Sequence, residues 1–398
     1  MIIGEKILLA VKECVKILLF KLFGVFPINN NKIVATTMRG RKYGDNPQYI
    51  VEHIKKIYPQ ADVVWLTAKG YECNAPSWIR KVPYAFNLKM LYELCTAKIW
   101  IDTHRLRTCV VKRKKQVFVE TWHGGLGIKK IEGDIKRVAD SSWEMKEIST
   151  TTKYADVFIS NSDHLTKIYR RAFKYQGPIL KCGYPKNDML VNNNIVIEKK
   201  KLFNISEQTK IALYAPTYRE RFAWGDNDDF SVYDINFIKL KEALKKRFGG
   251  DWVIFVKWHP TMIPYIQNKG IHLDGVTDLT SFNDMQSLLC VINVIISDYS
   301  SCLFDAALRE IPCFTFATDF EEYKSKQGTY FEMEELPFPY AKNNEELFNN
   351  IIAFDYQEFL KKWHQFKIIT GLHETGHATE DISSKIVELM KGKIIDWN

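Results

Sequence analysis

Among the eight cysteines of this 398-residue chain there is no C-x-x-C pair, and no uncharged apolar run approaches the roughly 20 residues that span a bilayer. Low-complexity tracts and internal repeats are also missing. Each absence excludes something. Cysteines dispersed at 14, 73, 95, 109, 182, 290, 302 and 313, several inside apolar runs, do not make a disulfide framework or a zinc ribbon. Reduced, buried thiols and a reducing cytosol are expected instead. With no clean apolar h-region ending in a small-residue cleavage site, a signal peptide is not expected. Basic residues occur in short runs such as Lys112–Lys115 and Lys199–Lys201, never as a long arm interleaved with aromatics. That speaks against a nucleic-acid partner.

What is present reads as globular: 46% hydrophobic, 13% aromatic and 26% charged residues, in a length that suits two domains. The formal charge of +9 fits a polyanionic partner, whether nucleic acid, an anionic membrane face or a phosphate-bearing substrate. At the N-terminus, residues 1–26 are rich in Ile, Leu, Val and Phe but interrupted by Lys6, Lys12, Glu13, Lys16 and Lys21. Wound as a helix, Ile7, Leu8, Val11, Val15, Leu18, Leu19 and Leu22 share one face. Such a helix either packs on its own domain or lies in the cytoplasmic membrane interface with its lysines toward anionic headgroups.

From Lys32 onward short apolar runs alternate with helical stretches. Strands are expected at 33–37, 63–66, 99–102, 117–120 and 157–160, with helices at 47–58, 88–95 and 165–172. The polar segment Asn192–Asn194 with Glu198–Lys201 breaks the rhythm and reads as a linker. The pattern then resumes, with strands at 211–214, 253–257, 294–297 and 313–316 and helices at 235–248, 285–289 and 303–309. The expected organisation is an N-terminal helix over 1–26 and α/β domains over 27–195 and 202–398. Short, continuously apolar strands between amphipathic helices indicate parallel sheets covered on both faces. The fold class is therefore α/β and GT-B-like: two doubly wound Rossmann-type domains facing across a cleft.

Four strands run into chemically loaded turns: Thr121-Trp122-His123-Gly124-Gly125, Tyr214-Ala215-Pro216-Thr217-Tyr218-Arg219-Glu220, Lys257-Trp258-His259-Pro260, and Asp298-Tyr299-Ser300-Ser301. A Ser-Ser pair at a helix start offers hydroxyls and backbone N–H donors to a phosphate, although Asp298 or Ser300 could simply cap the helix. His123 and His259 are the histidines on such turns. His53, His164 and His364 sit in helical stretches without polar company, while His104 and His272 are ambiguous. His373-Glu374-Thr375-Gly376-His377 matches the zinc-protease pattern H-E-x-x-H, which works only on a helix. Gly376 disfavours that helix, and the clear apolar helix begins later, at Ile382, so this match is read as chance.

Taken together, these turns resemble the CDP-glycerol glycerophosphotransferase family of teichoic-acid primases and polymerases. The resemblance covers most of the chain: Tyr43-Gly44-Asp45-Asn46-Pro47-Gln48-Tyr49-Ile50, Thr96-Ala97-Lys98, Trp122-His123-Gly124, Gly183-Tyr184-Pro185-Lys186-Asn187-Asp188, Tyr214 to Thr217, His259-Pro260, Asp298 to Ser301 with Asp305, and Tyr330-Phe331-Glu332 through Pro337. Gly125 and Lys186 stand where the family commonly has Thr and Arg.

The resemblance implies transfer of glycerol phosphate, or another polyol phosphate, from CDP-glycerol or CDP-ribitol to a lipid-linked or polymeric acceptor hydroxyl, with release of CMP. It implies His123 as base and His259 at the phosphoryl oxygens. Thr217, Arg219, Asp298, Ser300 and Ser301 would hold the donor, and Gly124, Lys129, Lys130, Asn187 and Asp188 the acceptor. Mg²⁺ could assist, with Asp298 and Asp305 its only candidate ligands, and no metal or other cofactor is required by the residues. The expected location is peripheral, on the cytoplasmic face of a bacterial membrane with an anionic surface. The competing readings are a GT-B glycosyltransferase or epimerase using a nucleotide sugar, and a membrane-associated binding protein without catalysis.

Overall fold

A computed structural model describes residues 3–71, 73–106, 110–192, 203–219, 230–259, 262–263, 266 and 275–397, with side chains from Val11 onward. Glu220, Pro260, His272 and nearly all of the expected linker lie outside the described residues. The chain separates into two compact units. One comprises Met1–His123, Glu132–Asp188 and His373–Asn398; the other comprises Gly124–Ile131 and Met189–Leu372.

The first unit is built on a seven-stranded sheet in the order β3-β2-β1-β4-β5-β6-β7. Its strands are β1 (Asn29–Ala35), β2 (Asp62–Thr67), β3 (Arg80–Pro83), β4 (Ala97–Asp102), β5 (Val117–Glu120), β6 (Val157–Ser160) and β7 (Ile179–Lys181). The second unit carries a six-stranded sheet, β10-β9-β8-β11-β12-β13. There the strands are β8 (Lys210–Tyr214), β9 (Trp252–Val256), β10 (Thr277–Asp278), β11 (Val294–Ser297), β12 (Cys313–Phe316) and β13 (Tyr340–Ala341). Every strand pairing in both sheets is parallel. Each unit is thus doubly wound, and its strand order reverses once: between β1 and β4, and between β8 and β11. In such sheets ligands bind beyond the carboxyl ends of the strands at that reversal.

Strands continuous in apolar residues form where expected because both faces are covered: β6 and β11 are buried at every position. The edges were not expected. β3, Arg80-Lys81-Val82-Pro83, buries only Val82 and carries a proline that is tolerated because it sits at a sheet edge.

The expected division at 27–195 and 202–398 is corrected at both ends. The terminal helix Ala378–Met390 belongs to the first unit, where Ser383 Oγ donates to Ile50 O at 3.4 Å and Asp188 accepts from Ala378 N and Thr379 N at 3.0 and 2.7 Å. Gly124–Ile131 belongs to the second, whose core includes buried Leu126 and Ile128. Both placements rest on pairings between residues far apart in sequence, which periodicity does not report.

Helix α1 (Ile3–Phe23) docks through Phe20, which is 2% exposed and meets the Phe86 ring at 6.2 Å. The expected apolar stripe faces elsewhere. Val11, Val15, Leu18 and Leu22 are 53, 49, 65 and 60% exposed. Among the described residues no helix is long and apolar enough to cross a membrane. The seven described cysteines are all free thiols.

Candidate active site

In the first unit the polar groups gather at the carboxyl ends of β1, β4 and β5. Asp102 and Glu120 close neighbouring strands in register, and both are buried. Asp102 Oδ1 accepts from Thr103 N and His104 N at 2.6 and 3.1 Å, and Glu120 Oε1 accepts from Trp122 N at 3.0 Å. Burial pushes the Asp102 carboxyl up to about 8. Burial, then the adjoining Asp102, pushes Glu120 well above the carboxylate range. Burial thus favours the neutral form of both carboxyl groups that hold these two turns.

The turn after β5 is strained, with Trp122 at φ 53°. A bulky residue adopts that conformation only where its surroundings enforce it. Here Asn46, at the start of α2 (Asp45–Ile57), directs Nδ2 at the carbonyls of Thr121 and Trp122, 3.4 and 3.5 Å away. Buried Lys186 donates from Nζ to His123 O at 3.3 Å, and its own amide is held by Asn46 Oδ1 at 3.2 Å. The strain thereby delivers His123. Its Nδ1 lies 3.0 Å from Thr103 O. A carbonyl only accepts, so Nδ1 carries the proton and Nε2 is left with its lone pair. The His104 ring stacks on His123 at 4.6 Å, and burial, followed by the charges of His123, Arg39, Arg105 and Arg41, holds its pKa down at about 3.

In the second unit the ends of β8 and β11 are tied together. Thr217 N donates to Asp298 Oδ1 at 2.8 Å, which also accepts from Tyr299 N at 2.7 Å. Thr217 Oγ1 is buried and has no hydrogen-bond partner among the described residues. His259 stacks on Tyr218 at 5.6 Å. Desolvation of its ring, then the ammonium groups of Lys129 and Lys257, lower its pKa to about 4, so it is neutral at pH 7. Gly127 lies against Ser301, whose Cβ would be 3.7 Å from a Cβ at position 127. Ser300 Oγ accepts from Cys302 N at 3.3 Å, starting a helix of only six residues, Cys302–Ala307. The serine pair therefore offers hydroxyls and amides more than a helix dipole.

Several expected site residues are engaged in contacts within their own unit. Arg219 is 5% exposed and donates to Asp319 from Nε at 2.8 Å and Nη2 at 2.9 Å, to Asp298 Oδ2 at 2.9 Å, and to Thr217 O at 2.6 Å. Its guanidinium is paired with two carboxylates and packs 4.6 Å from the Tyr299 ring centroid. Asp298, weighed as a Mg²⁺ ligand, has both oxygens engaged by these same donors. Asn187 is fully buried, with Nδ2 on Glu374 Oε1 at 2.8 Å, and Asp188 caps the terminal helix. Both side chains thus hold parts of the first unit together. Lys129 acts on His259 in the second unit, and Lys130 lays its stem on Gly328, where a Cβ would meet its Cδ at 2.7 Å.

The H-E-x-x-H segment is not helical: it is the loop between Leu372 and the helix Ala378–Met390. Glu374 has another employment there. It accepts from Asn161 Nδ2 (2.8 Å), Asn187 Nδ2 (2.8 Å) and Tyr184 N (2.9 Å). Gly183, at φ 85°, is required beneath it, because a Cβ would fall 2.7 Å from Glu374 Oε2. Sequence reasoning missed Glu374, Asn46 and Thr103. For Thr103 a signal existed: it follows β4 as directly as the four turns follow their strands.

Two doubly wound units with phosphate-suited turns at their strand ends define a GT-B-like α/β protein of the nucleotide-dependent transferase class. Residues 18–388 match the CDP-Glycerol:Poly(glycerophosphate) glycerophosphotransferase family, and the chain belongs to it. It is 27% identical to the teichoic acid poly(glycerol phosphate) polymerase of Bacillus spizizenii W23, over 94% of this chain and 95% of that protein. It is 29% identical to the teichoic acid glycerol-phosphate transferase of Staphylococcus aureus NCTC 8325, covering 84% and 87%. Against the Bacillus subtilis 168 polymerase, 30% identical, it spans 44% of the relative's length. The wall teichoic acid polymerase TagF superposes with a TM-score of 0.80 at 26% identity, covering 98% of both chains.

Proposed function

We propose that this chain transfers glycerol phosphate from CDP-glycerol to the terminal hydroxyl of a polyol-phosphate acceptor and releases CMP. The acceptor oxygen attacks the β-phosphorus. The bond from that phosphorus to the bridging oxygen breaks, CMP leaves with the bridging oxygen, and the hydroxyl proton passes to His123. The observation that carries this reading is the hydrogen bond from His123 Nδ1 to Thr103 O at 3.0 Å, which leaves Nε2 as a base. Neutral His259, with Lys129 and Lys257 charged around it, suits the oxygens of the transferred phosphoryl group, where negative charge must be met by fixed positive groups. Thr217 Oγ1, Ser300 and Ser301 are assigned to the donor's phosphates. Arg219 and Asp298 act one step back, fixing the turn that presents Thr217.

We further infer that α1 lies in the cytoplasmic interface of an anionic membrane and that the acceptor is held there by a lipid. The exposed stripe Val11, Val15, Leu18 and Leu22, with Lys12 and Lys21 exposed on the same helix, supports this reading. The test of the central proposal is CMP release with CDP-glycerol and CDP-ribitol in parallel, against lipid-linked and soluble acceptors.

A further inference from the structure

The segment Met38-Arg39-Gly40-Arg41-Lys42 enters none of the roles above, yet three successive residues in it take left-handed backbone: Met38 (φ 48°), Arg39 (φ 55°) and Gly40 (φ 86°). For Met and Arg that conformation persists only where neighbours impose it. The neighbours are visible. Thr37 and Lys42 form an antiparallel bridge that closes the loop into a small hairpin. Gly40 O accepts from Ala68 N at 2.7 Å, just past β2, and a Cβ at Gly40 would fall 2.6 Å from that nitrogen. On the other side Met38 N donates to Thr103 Oγ1 at 3.1 Å, just past β4. The hairpin is pinned at the reversal of the sheet, with Arg39 at its tip.

Thr103 joins this hairpin to the base. Its hydroxyl holds Met38 and its carbonyl holds His123. Arg39 and Arg41 are both exposed, and neither has a carboxylate partner among the described residues. Arg41 lies over the Tyr71 ring, 5.9 Å from its centroid. Their charges reach the ring stacked on His123, since both contribute to holding His104 in its neutral form. Two guanidiniums without carboxylate partners among the described residues, on a rigid support at the strand-order reversal, form a place for an anion with paired oxygens.

We propose that Arg39 and Arg41 form an anion subsite in the first unit that takes the phosphate nearest the attacking hydroxyl of the acceptor. This rests on the glycerophosphotransferase reading and names what that reading leaves open: the acceptor is recognised by its own phosphate as well as by its hydroxyl. A chain of polyol phosphates carries such a phosphate a few bonds from its terminal hydroxyl, whereas an uncharged sugar does not.

The test uses the full chain and two soluble acceptors of equal length, one ending in glycerol phosphate and the other with the phosphate replaced by an uncharged linker. The wild-type protein is expected to show a KM for the phosphate-bearing acceptor at least tenfold below that for the neutral one. In the double variant Arg39→Gln, Arg41→Gln that ratio should collapse toward one while KM for CDP-glycerol stays within twofold. Arg39→Lys, which keeps the charge and loses the fork, should fall between. An unchanged ratio in the double variant overturns the subsite. Failure of the wild-type protein to release CMP from CDP-glycerol with either acceptor would instead count against the transferase reading. Calorimetric titration of the donor-free protein with glycerol 3-phosphate reads the subsite independently of turnover: binding that the double variant lacks supports it, and equal binding by both proteins overturns it.

Discussion

The imidazoles of His104 and His123 stack with centroids 4.6 Å apart and 16° between their planes, and both are tied to Thr103. Beneath them Asp102 holds the amides of Thr103 and His104. Asp102 and His104 make stability depend on pH in opposite senses. Asp102, raised by burial to about 8, keeps in the folded state a proton that the unfolded chain releases above about pH 4, so it lowers stability as pH rises from there toward 8. His104, lowered by burial to about 3, refuses a proton that the unfolded chain takes up below about pH 6.5, so it lowers stability as pH falls through that value. Urea unfolding across this range should show Asp102→Asn gaining on the wild type with rising pH and His104→Gln gaining with falling pH. Parallel pH profiles for all three proteins would contradict these environments.

Glu374 should behave as a structural acceptor. Replacing it with Ala removes the partner of Asn161, Asn187 and the Tyr184 amide together, a loss of roughly 3 kcal/mol for a half-buried charged acceptor with three donors. Denaturant midpoints should drop accordingly for Glu374→Ala and be unaffected by a chelator in either protein. A chelator-induced fall in the wild-type midpoint would return the segment to metal binding.

Arg219→Lys separates a strut from a ligand contact. Breaking a buried, forked ion pair costs on the order of 3 kcal/mol or more of stability, and the Thr217 turn should loosen with it. Both the unfolding free energy and calorimetric affinity for CDP-glycerol should fall. Lost affinity at unchanged stability would instead mean that Arg219 touches the donor.

Much of this was legible in the sequence, and what was not has a common cause. β5, β6, β11 and β12 fall at their expected residues because buried parallel strands are apolar throughout. Edge strands β3, β7, β10 and β13 are two to four residues long and lack that signal. Histidines at strand ends are visible because a polar residue after an apolar run stands out. Asn46, Lys186 and Glu374 act through residues distant in the chain, and nothing local distinguishes them from a cap, a surface lysine or a chance motif. Arg219 and Asn187 were legible as important but not as buried, since burial depends on what the fold brings beside them.

The exposed stripe on α1 predicts a membrane phenotype without a stability phenotype. Leu18 and Leu22 are 65 and 60% exposed, so Leu18→Asp with Leu22→Asp should leave the unfolding midpoint within about 0.5 kcal/mol of wild type. Co-sedimentation with anionic vesicles should fall severalfold, and added salt should weaken what remains. Equal sedimentation by both proteins would remove the membrane role from this helix.

The central claim is that His123 takes the acceptor's proton during transfer from CDP-glycerol, and CMP release measured side by side for the wild type and His123→Ala tests it most directly. With CDP-glycerol and a glycerol-phosphate-terminated acceptor, the wild-type protein should release CMP in step with acceptor extension. His123→Ala, folded to the same stability and binding the donor equally, should be slower by about 10²–10⁴-fold. A variant that retains more than half of the wild-type rate, or a wild-type protein that extends the acceptor only from a nucleotide sugar, would contradict the account.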